Sequence, residues 1–234
     1  MTLAAFQQAL ARRALDLVGV VAAADARPLL HGGGEDPLDG AGAVVVVASG
    51  GRGFWAALAR RPGDEHPIDR AGQEAIEGAL PHLPGGRLLT LEARDRFDLR
   101  RLGALAGLGV VSPHLELLIH PEFGPWVSVR GLVVVRGALP TTGPLAYDPC
   151  GPCARPCLDA CPVGAYSRAA PFDVRRCATH RLASDGPVPP PAPCADRCRA
   201  RDACVVGVAH RYGDAEMRHR HRAGLPLLRA WLGG

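Results

Sequence analysis

Eight cysteines constrain this chain of 234 residues more than any other feature, because all of them lie between Cys150 and Cys204. The first four form the run Cys150-Gly-Pro-Cys153-Ala-Arg-Pro-Cys157-Leu-Asp-Ala-Cys161-Pro162. The others are irregularly spaced and comprise Cys177, Cys194, Cys198 and Cys204. This part of the chain is broken by prolines and has few long apolar periods, so we expect it to fold around bound metal.

The first run is close to the bacterial ferredoxin pattern, in which three cysteines hold one cluster and the fourth reaches another. Its middle gap is one residue longer than in that pattern, and it ends in Cys161-Pro162 as ferredoxins do. Eight cysteines fit two [4Fe–4S] clusters with none left over. The crossover pattern predicts two sets of ligands: Cys150, Cys153, Cys157 and Cys204, and Cys161, Cys177, Cys194 and Cys198. The alternative is two zinc sites with four cysteines each.

The chain contains no lysine and no asparagine, so its many arginines indicate biased composition and do not predict nucleic-acid binding. From residue 150 onward, 13 arginines stand against 7 acidic residues, and we expect them partly to balance the negative charge of the clusters. The N-terminal residues do not resemble a signal peptide, and no apolar run approaches the roughly 20 residues of a membrane span. We therefore expect a soluble, cytoplasmic protein with no membrane partner, whose cysteines bind metal.

The apolar pattern predicts an α+β protein with two domains, an α/β layered domain at 1–145 and a ferredoxin-like iron–sulfur domain at 146–234. In the first domain we predict helices at 3–21, from about Phe54, at 68–80 and at 99–105. Strands are predicted at 43–48, 87–92, 115–119 and 126–135.

Further segments carry a resemblance to a known family. They are Gly107-Leu-Gly109, Leu118-Ile-His120-Pro121-Glu122-Phe123-Gly124-Pro125-Trp126-Val127, Val163-Gly164-Ala165 and Arg175-Arg176-Cys177. Together with the cysteine run, they resemble epoxyqueuosine reductase in order and spacing over about residues 60–210. The resemblance implies a nitroreductase-like domain that carries a corrinoid such as cobalamin, followed by two [4Fe–4S] clusters that supply electrons to it.

The chain differs from that family in two respects. Val205-Val206-Gly207 follows Cys204 where the family usually has proline, and the sequence ends 30 residues after Cys204, without the helical repeats that read tRNA. We therefore do not expect tRNA as a partner.

The resemblance also implies candidate residues outside the cysteines. Asp64 lies where the family has its proposed acid, with Asp69 as a competitor, and the alternative for both is capping of a helix. His120 and Trp126 are candidates for facing a bound corrinoid or flavin, and the alternatives are a structural histidine and core packing.

Two weaker signals stand outside the resemblance. Ser49-Gly-Gly-Arg-Gly53 follows a strand and is either a phosphate-binding loop or a simple turn. His210, His219 and His221 are expected on a solvated surface.

These observations predict a corrinoid-dependent or corrinoid-processing reductase that receives electrons from a redox partner protein through its two clusters. The alternative is a ferredoxin-like electron carrier for a partner enzyme, with no catalytic cofactor of its own.

Overall fold

The structure, a computed structural model, describes residues 2–58, 66–168, 170–183 and 194–233. Its strands are β1 (Leu17–Ala22), β2 (Ala43–Gly50), β3 (Gly86–Leu88), β4 (Val110–Val111), β5 (Leu118–Ile119) and β6 (Val127–Val135). Its α-helices are α1 (Leu3–Ala11), α2 (Ala23–Ala26), α3 (Gly53–Ala56), α4 (Pro67–Ala79), α5 (Leu91–Asp95), α6 (Leu99–Leu105), α7 (Pro156–Asp159), α8 (Val174–Ala183), α9 (Arg199–Asp202), α10 (Asp214–Ala223) and α11 (Leu225–Gly233). None of the helices in these ranges is long and apolar enough to cross a membrane.

A four-stranded antiparallel sheet in the order β1-β2-β6-β3 forms the centre of the fold. β2 lies between β1 and β6, and all of its residues are buried. Because alternate residues of a strand point to opposite faces, its valines supply both sides of the sheet. Val45 and Val47 belong to the core formed with α1 and α4, and Val44 and Val46 belong to the core formed with α2 and α6. Helices therefore cover both faces of the sheet.

The first predicted helix was wrong beyond its first half. α1 ends at Ala11, and Leu17–Ala22 forms strand β1, which pairs with β2. Ala14 has a φ of 55°, which a continuing right-handed helix does not allow. The following residues are rich in valine, which suits a pleated sheet better than a helix.

Other predictions for this region were confirmed or shortened. The buried strand at 43–48, the helices at 68–80 and 99–105, and the strand at 126–135 are present as β2, α4, α6 and β6. The strand predicted at 87–92 stops at Leu88, because the Thr90 hydroxyl accepts a hydrogen bond from the amide of Ala93 and starts α5. The strand predicted at 115–119 is reduced to β5, because Glu116 adopts a φ of 54°.

The part of the chain from Cys150 onward folds into short helices connected by loops. Arg201 of α9 connects this part to the residues just before β6. Its Nη2 donates to the carbonyl of Pro125, and its guanidinium lies 4.7 Å from the ring centroid of Trp126. The backbone of Gly207 approaches Phe123 so closely that a Cβ at Gly207 would lie 2.3 Å from the Phe123 carbonyl. The two parts of the sequence are thus closely packed, and the division at residue 145 stays a prediction.

Candidate metal centres in the cysteine segment

Four cysteines surround one cavity next to the small β4–β5 sheet. The cavity is lined by Ser112, Leu115 and Ile119 from the first part of the chain. Its cysteines, called here the first quartet, are Cys150, Cys153, Cys157 and Cys204. Cys204 is 47 positions from Cys157 in the sequence, so the fold itself brings these four side chains together.

The other four cysteines surround a second cavity, between α8, α9 and α10. They are called here the second quartet and comprise Cys161, Cys177, Cys194 and Cys198. Cys161 directly follows α7, which carries Cys157, yet it faces a different cavity from Cys157. The structure therefore groups the cysteines in the two sets that the ferredoxin crossover pattern predicts.

The longer middle gap of the first run is accommodated at Arg155. This residue has a left-handed backbone with a φ of 63°, and Pro156 then occupies the first position of α7. The turn directs the amide of Arg155 to Sγ of Cys153 at 3.3 Å and buries Cys157 on the helix. Asp148 fixes the other end of the run, since its Oδ1 accepts hydrogen bonds from the amides of Cys150 and Gly151.

The thiols influence one another within each quartet. Burial, followed by the neighbouring Cys204, Cys150 and Cys153, raises the pKa of Cys157. Burial also raises the pKa of Cys177 to about 11, with Cys198 and other members of the second quartet adding to the shift. Several thiolates close together in a poorly solvated site are unfavourable without a cation, so the cysteines keep their thiol protons. A metal centre that binds there has to displace these protons.

The donor set fits an iron–sulfur cluster better than a single ion. Each quartet offers four soft sulfur ligands, which zinc and iron–sulfur clusters both accept. In the described ranges, however, no three histidine, cysteine or acidic side chains lie close enough to hold one metal ion. A cubane binds each thiolate through a different iron atom, so its ligands can lie farther apart than those of one zinc ion.

The second cavity is strongly cationic. Four arginines line it and none of the described residues that line it is acidic; these arginines are Arg181, Arg199, Arg201 and Arg220. Burial raises the pKa of Cys198, and Arg201 opposes this shift through its amide, 3.5 Å from Sγ of Cys198, and through its guanidinium. Hydrogen bonds and positive charge near the sulfurs are the means by which proteins adjust cluster potentials.

The structure places the candidate cofactor residues in internal contacts. Nδ1 of His120 accepts hydrogen bonds from the amides of Glu122 and Phe123 at 3.1 and 3.2 Å, and burial lowers the pKa of the ring. Trp126 is fully buried, with Arg201 over its ring and Tyr212 at 5.3 Å in an edge contact. Trp126 therefore has no open ring face on which a planar macrocycle could stack, and His120 is half-buried with its Nδ1 already accepting hydrogen bonds.

The candidate phosphate loop is also covered. A Cβ at Gly50 would lie 2.4 Å from the ring of Phe123, and a Cβ at Gly51 would lie 3.4 Å from the side chain of His210. The amide of Gly51 donates to the carbonyl of Trp126 at 2.8 Å, so it is not available to a phosphate. The geometry favours the alternative interpretation, a simple strand-to-helix turn.

The two candidate acids are Asp64 and Asp69. Asp64 lies outside the described residues. Asp69 is in the first turn of α4 and its Oδ1 lies 3.2 Å from Nη1 of the buried Arg94. Asp69 therefore has an ion-pair partner in the interior.

His210, His219 and His221 were predicted on a solvated surface, and the structure shows all three half-buried, each with an internal contact. His210 makes an edge contact with Phe123 at 4.8 Å, and His219 lies 5.2 Å from Trp55. His221 lines the second cavity, and its Nε2 lies 2.7 Å from the carbonyl oxygen of Cys194. Charge alternation in the sequence hid the contacts of His219 and His221, because α10 buries one side in spite of its basic composition.

The fold is similar to that of several solved structures. The structure matches epoxyqueuosine reductase from Streptococcus thermophilus with a TM-score of 0.61 and 14% identity, over 89% of this chain and 66% of that chain. The enzyme from Bacillus subtilis matches with a TM-score of 0.60 and 17% identity, over 89% and 66% of the two chains. The catabolic reductive dehalogenase NpRdhA, in complex with 3-bromo-4-hydroxybenzoic acid, matches with a TM-score of 0.59 and 17% identity, over 97% and 36%. The chain thus has the mixed helix and sheet fold of these reductases.

A curated relative makes the likeness more specific. An epoxyqueuosine reductase from Synechococcus sp. (strain CC9605) is 43% identical over 77 residues, which are 31% of this chain and 21% of that relative. The chain is therefore an epoxyqueuosine reductase-like protein, and it matches about two thirds of the length of the solved epoxyqueuosine reductases. No family model matches it.

Proposed function

We propose that this chain is an iron–sulfur redox protein whose two [4Fe–4S] clusters carry electrons in a reductive reaction. The observation that carries the proposal is the grouping of all eight cysteines around two cavities, four to each. When bound, each cluster would accept and release one electron at a time. The likeness to reductases supports the direction of the chemistry, since the relatives are named for reductive reactions.

The chain's own residues would hold and adjust the clusters. The first quartet would bind one cluster and the second quartet the other, and the amides of Arg155 and Arg201 would donate hydrogen bonds to cysteine sulfurs. Ser112 contributes a further contact, because its hydroxyl lies 3.5 Å from Sγ of Cys150. These groups would stabilise the negative charge on the sulfurs and exclude water from the clusters.

A second candidate function is that of a corrinoid-dependent reductase. One observation favours it, namely the likeness to a reductive dehalogenase described as catalysing B12-dependent dehalogenation, with a TM-score of 0.59 over 97% of this chain. The packing of His120 and Trp126 does not favour it. Trp126 is buried and would not contact a corrinoid directly, and the proposed electron transfer does not require one.

Metal analysis of protein purified without oxygen tests both candidates. We expect about eight iron and eight sulfide per chain, as two cubanes require. Two zinc ions without sulfide would contradict the proposal. Corrinoid that copurifies or binds in stoichiometric amount would select the second candidate, and its absence would leave an electron carrier.

The division of ligands between the clusters has a sharp test in Cys161. We predict that Cys161→Ala damages the same cluster as Cys177→Ala, and that Cys157→Ala damages the other one, although Cys157 and Cys161 are neighbours in the sequence. Electron paramagnetic resonance of the reduced variants would identify the remaining cluster. Matching spectra for Cys157→Ala and Cys161→Ala would contradict the crossover assignment.

A further inference from the structure

Ser112 is a serine of the sheet-containing part of the chain that lies against the first quartet. It is 1% exposed, it lines the first cavity, and its Oγ lies 3.5 Å from Sγ of Cys150. The two residues are 38 positions apart in the sequence, so tertiary folding brings them together. A buried hydroxyl needs hydrogen-bond partners, so the direction of its proton can be argued from the groups around it.

Ser112 begins the connection between β4 and β5, and this connection is fixed by backbone hydrogen bonds. The amide of Ser112 donates to the carbonyl of Leu117 at 2.9 Å, and its carbonyl accepts from the amide of Glu116 at 3.1 Å. Nη1 of Arg100 in α6 donates to the carbonyl of Glu116 at 3.1 Å and to its Oε2 at 2.9 Å. The position of the serine hydroxyl is therefore set by the fold of the first part of the chain.

The lone pairs of the Ser112 hydroxyl are occupied by backbone amides. Oγ accepts hydrogen bonds from the amides of His114 at 3.2 Å and Leu115 at 3.1 Å. A hydroxyl has two acceptor lone pairs and one proton, so its proton has to point away from these two amides. Within the described ranges, the remaining partner of Oγ is Sγ of Cys150.

The donor in this contact follows from what cluster binding requires of Cys150. A cysteine that binds a cluster is a thiolate, which has no proton and can only accept a hydrogen bond. Ser112 would then donate an O–H···S hydrogen bond to it. Because Ser112 is 1% exposed, water does not compete for the hydroxyl proton.

The serine and the sulfur are each held by contacts that do not involve the other. Oδ1 of Asp148 accepts from the amide of Cys150 at 3.2 Å. Leu115, which donates to Oγ of Ser112, is buried in the small apolar cluster that contains Cys157. A hydrogen bond between groups that are already in place costs little ordering, so it acts on the charge of the sulfur with most of its strength.

The second quartet has a different environment. Among the described residues that line the second cavity there is no serine or threonine. A change at Ser112 should therefore act on the first cluster and leave the second one unaffected.

We propose that Ser112 is a positioning residue of the first cluster, whose hydroxyl donates a hydrogen bond to Cys150 and raises the reduction potential of that cluster. The inference rests on the proposed function. An added electron makes the cysteine sulfurs more negative, so the hydrogen bond is stronger in the reduced state than in the oxidised state and favours reduction.

A redox titration followed by electron paramagnetic resonance on protein purified without oxygen tests the inference. The first cluster is identified as the one whose spectrum persists in Cys177→Ala. In Ser112→Ala we expect its equilibrium constant for reduction to fall roughly tenfold, which is about 59 mV for one electron, with the second cluster unchanged. Ser112→Thr keeps the hydroxyl and should stay close to the wild-type potential.

Two further variants separate the hydrogen bond from the stability of the turn. Arg100→Ala removes the contacts with Glu116 and keeps the hydroxyl, so the potential of the first cluster should not change. Ser112→Asp offers acceptor oxygens to both amides and therefore keeps the turn if Ser112→Ala does not fold. It has no proton to donate at neutral pH and adds a negative charge, so the potential should fall at least as far as in Ser112→Ala.

Iron and sulfide are measured in each preparation, which separates the inference from the proposed function. Their absence from the wild type would overturn both. If both clusters are present, an unchanged first cluster in Ser112→Ala or Ser112→Asp overturns the inference alone. An equal shift in both clusters does the same, and so does a fall in Ser112→Thr or Arg100→Ala as large as that in Ser112→Ala.

Discussion

At the scale of single residues, Arg155 explains how the first cysteine run tolerates an additional residue. A left-handed backbone costs a side chain with a Cβ roughly 1–2 kcal/mol, and more for a β-branched residue. We predict that Arg155→Gly keeps its iron and its stability, and that Arg155→Val lowers both iron content and the midpoint of thermal unfolding. Ala154→Val, one residue earlier at an exposed position, is the control and should behave like the wild type. Full iron occupancy in Arg155→Val would show that the turn does not depend on this backbone.

Arg201 offers a residue-scale test of how the second cluster is adjusted. Its guanidinium is held over Trp126 and Tyr212 at 4.7 and 5.0 Å, beside the second cavity. Removing this positive charge disfavours the added electron, so Arg201→Met should lower the reduction potential of one cluster and leave the other unchanged. Arg201→Lys keeps the charge, so the potential of this cluster should lie between those of the wild type and Arg201→Met. A redox titration followed by electron paramagnetic resonance measures both potentials, and equal shifts in both clusters would contradict the assignment.

The role of a residue could be predicted from the sequence where it depends on neighbouring positions along the chain. The spacing of cysteines follows ligand geometry, so their grouping around two cavities agrees with the crossover pattern, and their role as cluster ligands stays a prediction. The roles of His120 and Trp126 could not be predicted in the same way, because histidine and tryptophan occur both in protein cores and at cofactor sites. Their contacts with Phe123, Tyr212 and Arg201 join distant parts of the chain, and no local pattern reports such contacts.

At the scale of elements, β2 could be predicted from the local sequence and β1 could not. The run 43–48 is apolar throughout and short, and it was correctly predicted as a buried strand. β1 was missed because Leu17 and Val21 continue the helical spacing of α1, and only the left-handed Ala14 reveals the break. Periodicity alone does not distinguish the end of a helix from the start of a short strand.

Helix α10 contains a buried ion pair between two residues one turn apart, Glu216 and Arg220. Glu216 is fully buried, and its Oε1 accepts from Nε and Nη2 of Arg220 at 2.9 and 2.7 Å. Arg220→Met would remove the nearest positive charge and leave only the weaker effects of Arg130 and Arg201 on the carboxylate, so we expect a loss of up to about 3–5 kcal/mol in the free energy of unfolding at neutral pH. Glu216→Gln buries no charge and should cost less.

The pH dependence of that loss follows from the pKa of Glu216. Burial raises this pKa above its ordinary value, and Arg220 opposes the shift. Without Arg220 the folded state should bind the proton still more tightly, so the penalty in Arg220→Met should shrink as the pH falls toward the raised pKa. Denaturant unfolding at neutral and mildly acidic pH measures this, with Glu216→Gln as the variant that should lack this dependence. A penalty that is constant with pH would mean that Glu216 does not carry the charge.

At the scale of the whole molecule, the two parts of the chain draw their stability from different sources. The sheet buries valines on both faces between helices, and this core needs no metal. The cysteine segment has only small apolar clusters, such as the one around Leu158 and Tyr166, and its short helices α7 and α9 could not persist alone. Its order should therefore depend on what its thiolates bind.

Removing iron tests this dependence directly. We predict that chelation under oxidising conditions causes fast amide exchange in α7 to α9, while amides of β2 and β6 keep their protection, because the sheet retains its core. Hydrogen exchange read by mass spectrometry on holo-protein and iron-free protein gives both answers in one experiment. The contacts of Arg201 with Pro125 and Trp126 connect the two parts, so exchange at the start of β6 should rise moderately. Loss of protection throughout β2 at the same rate would show one cooperative unit and would contradict a domain boundary at residue 145.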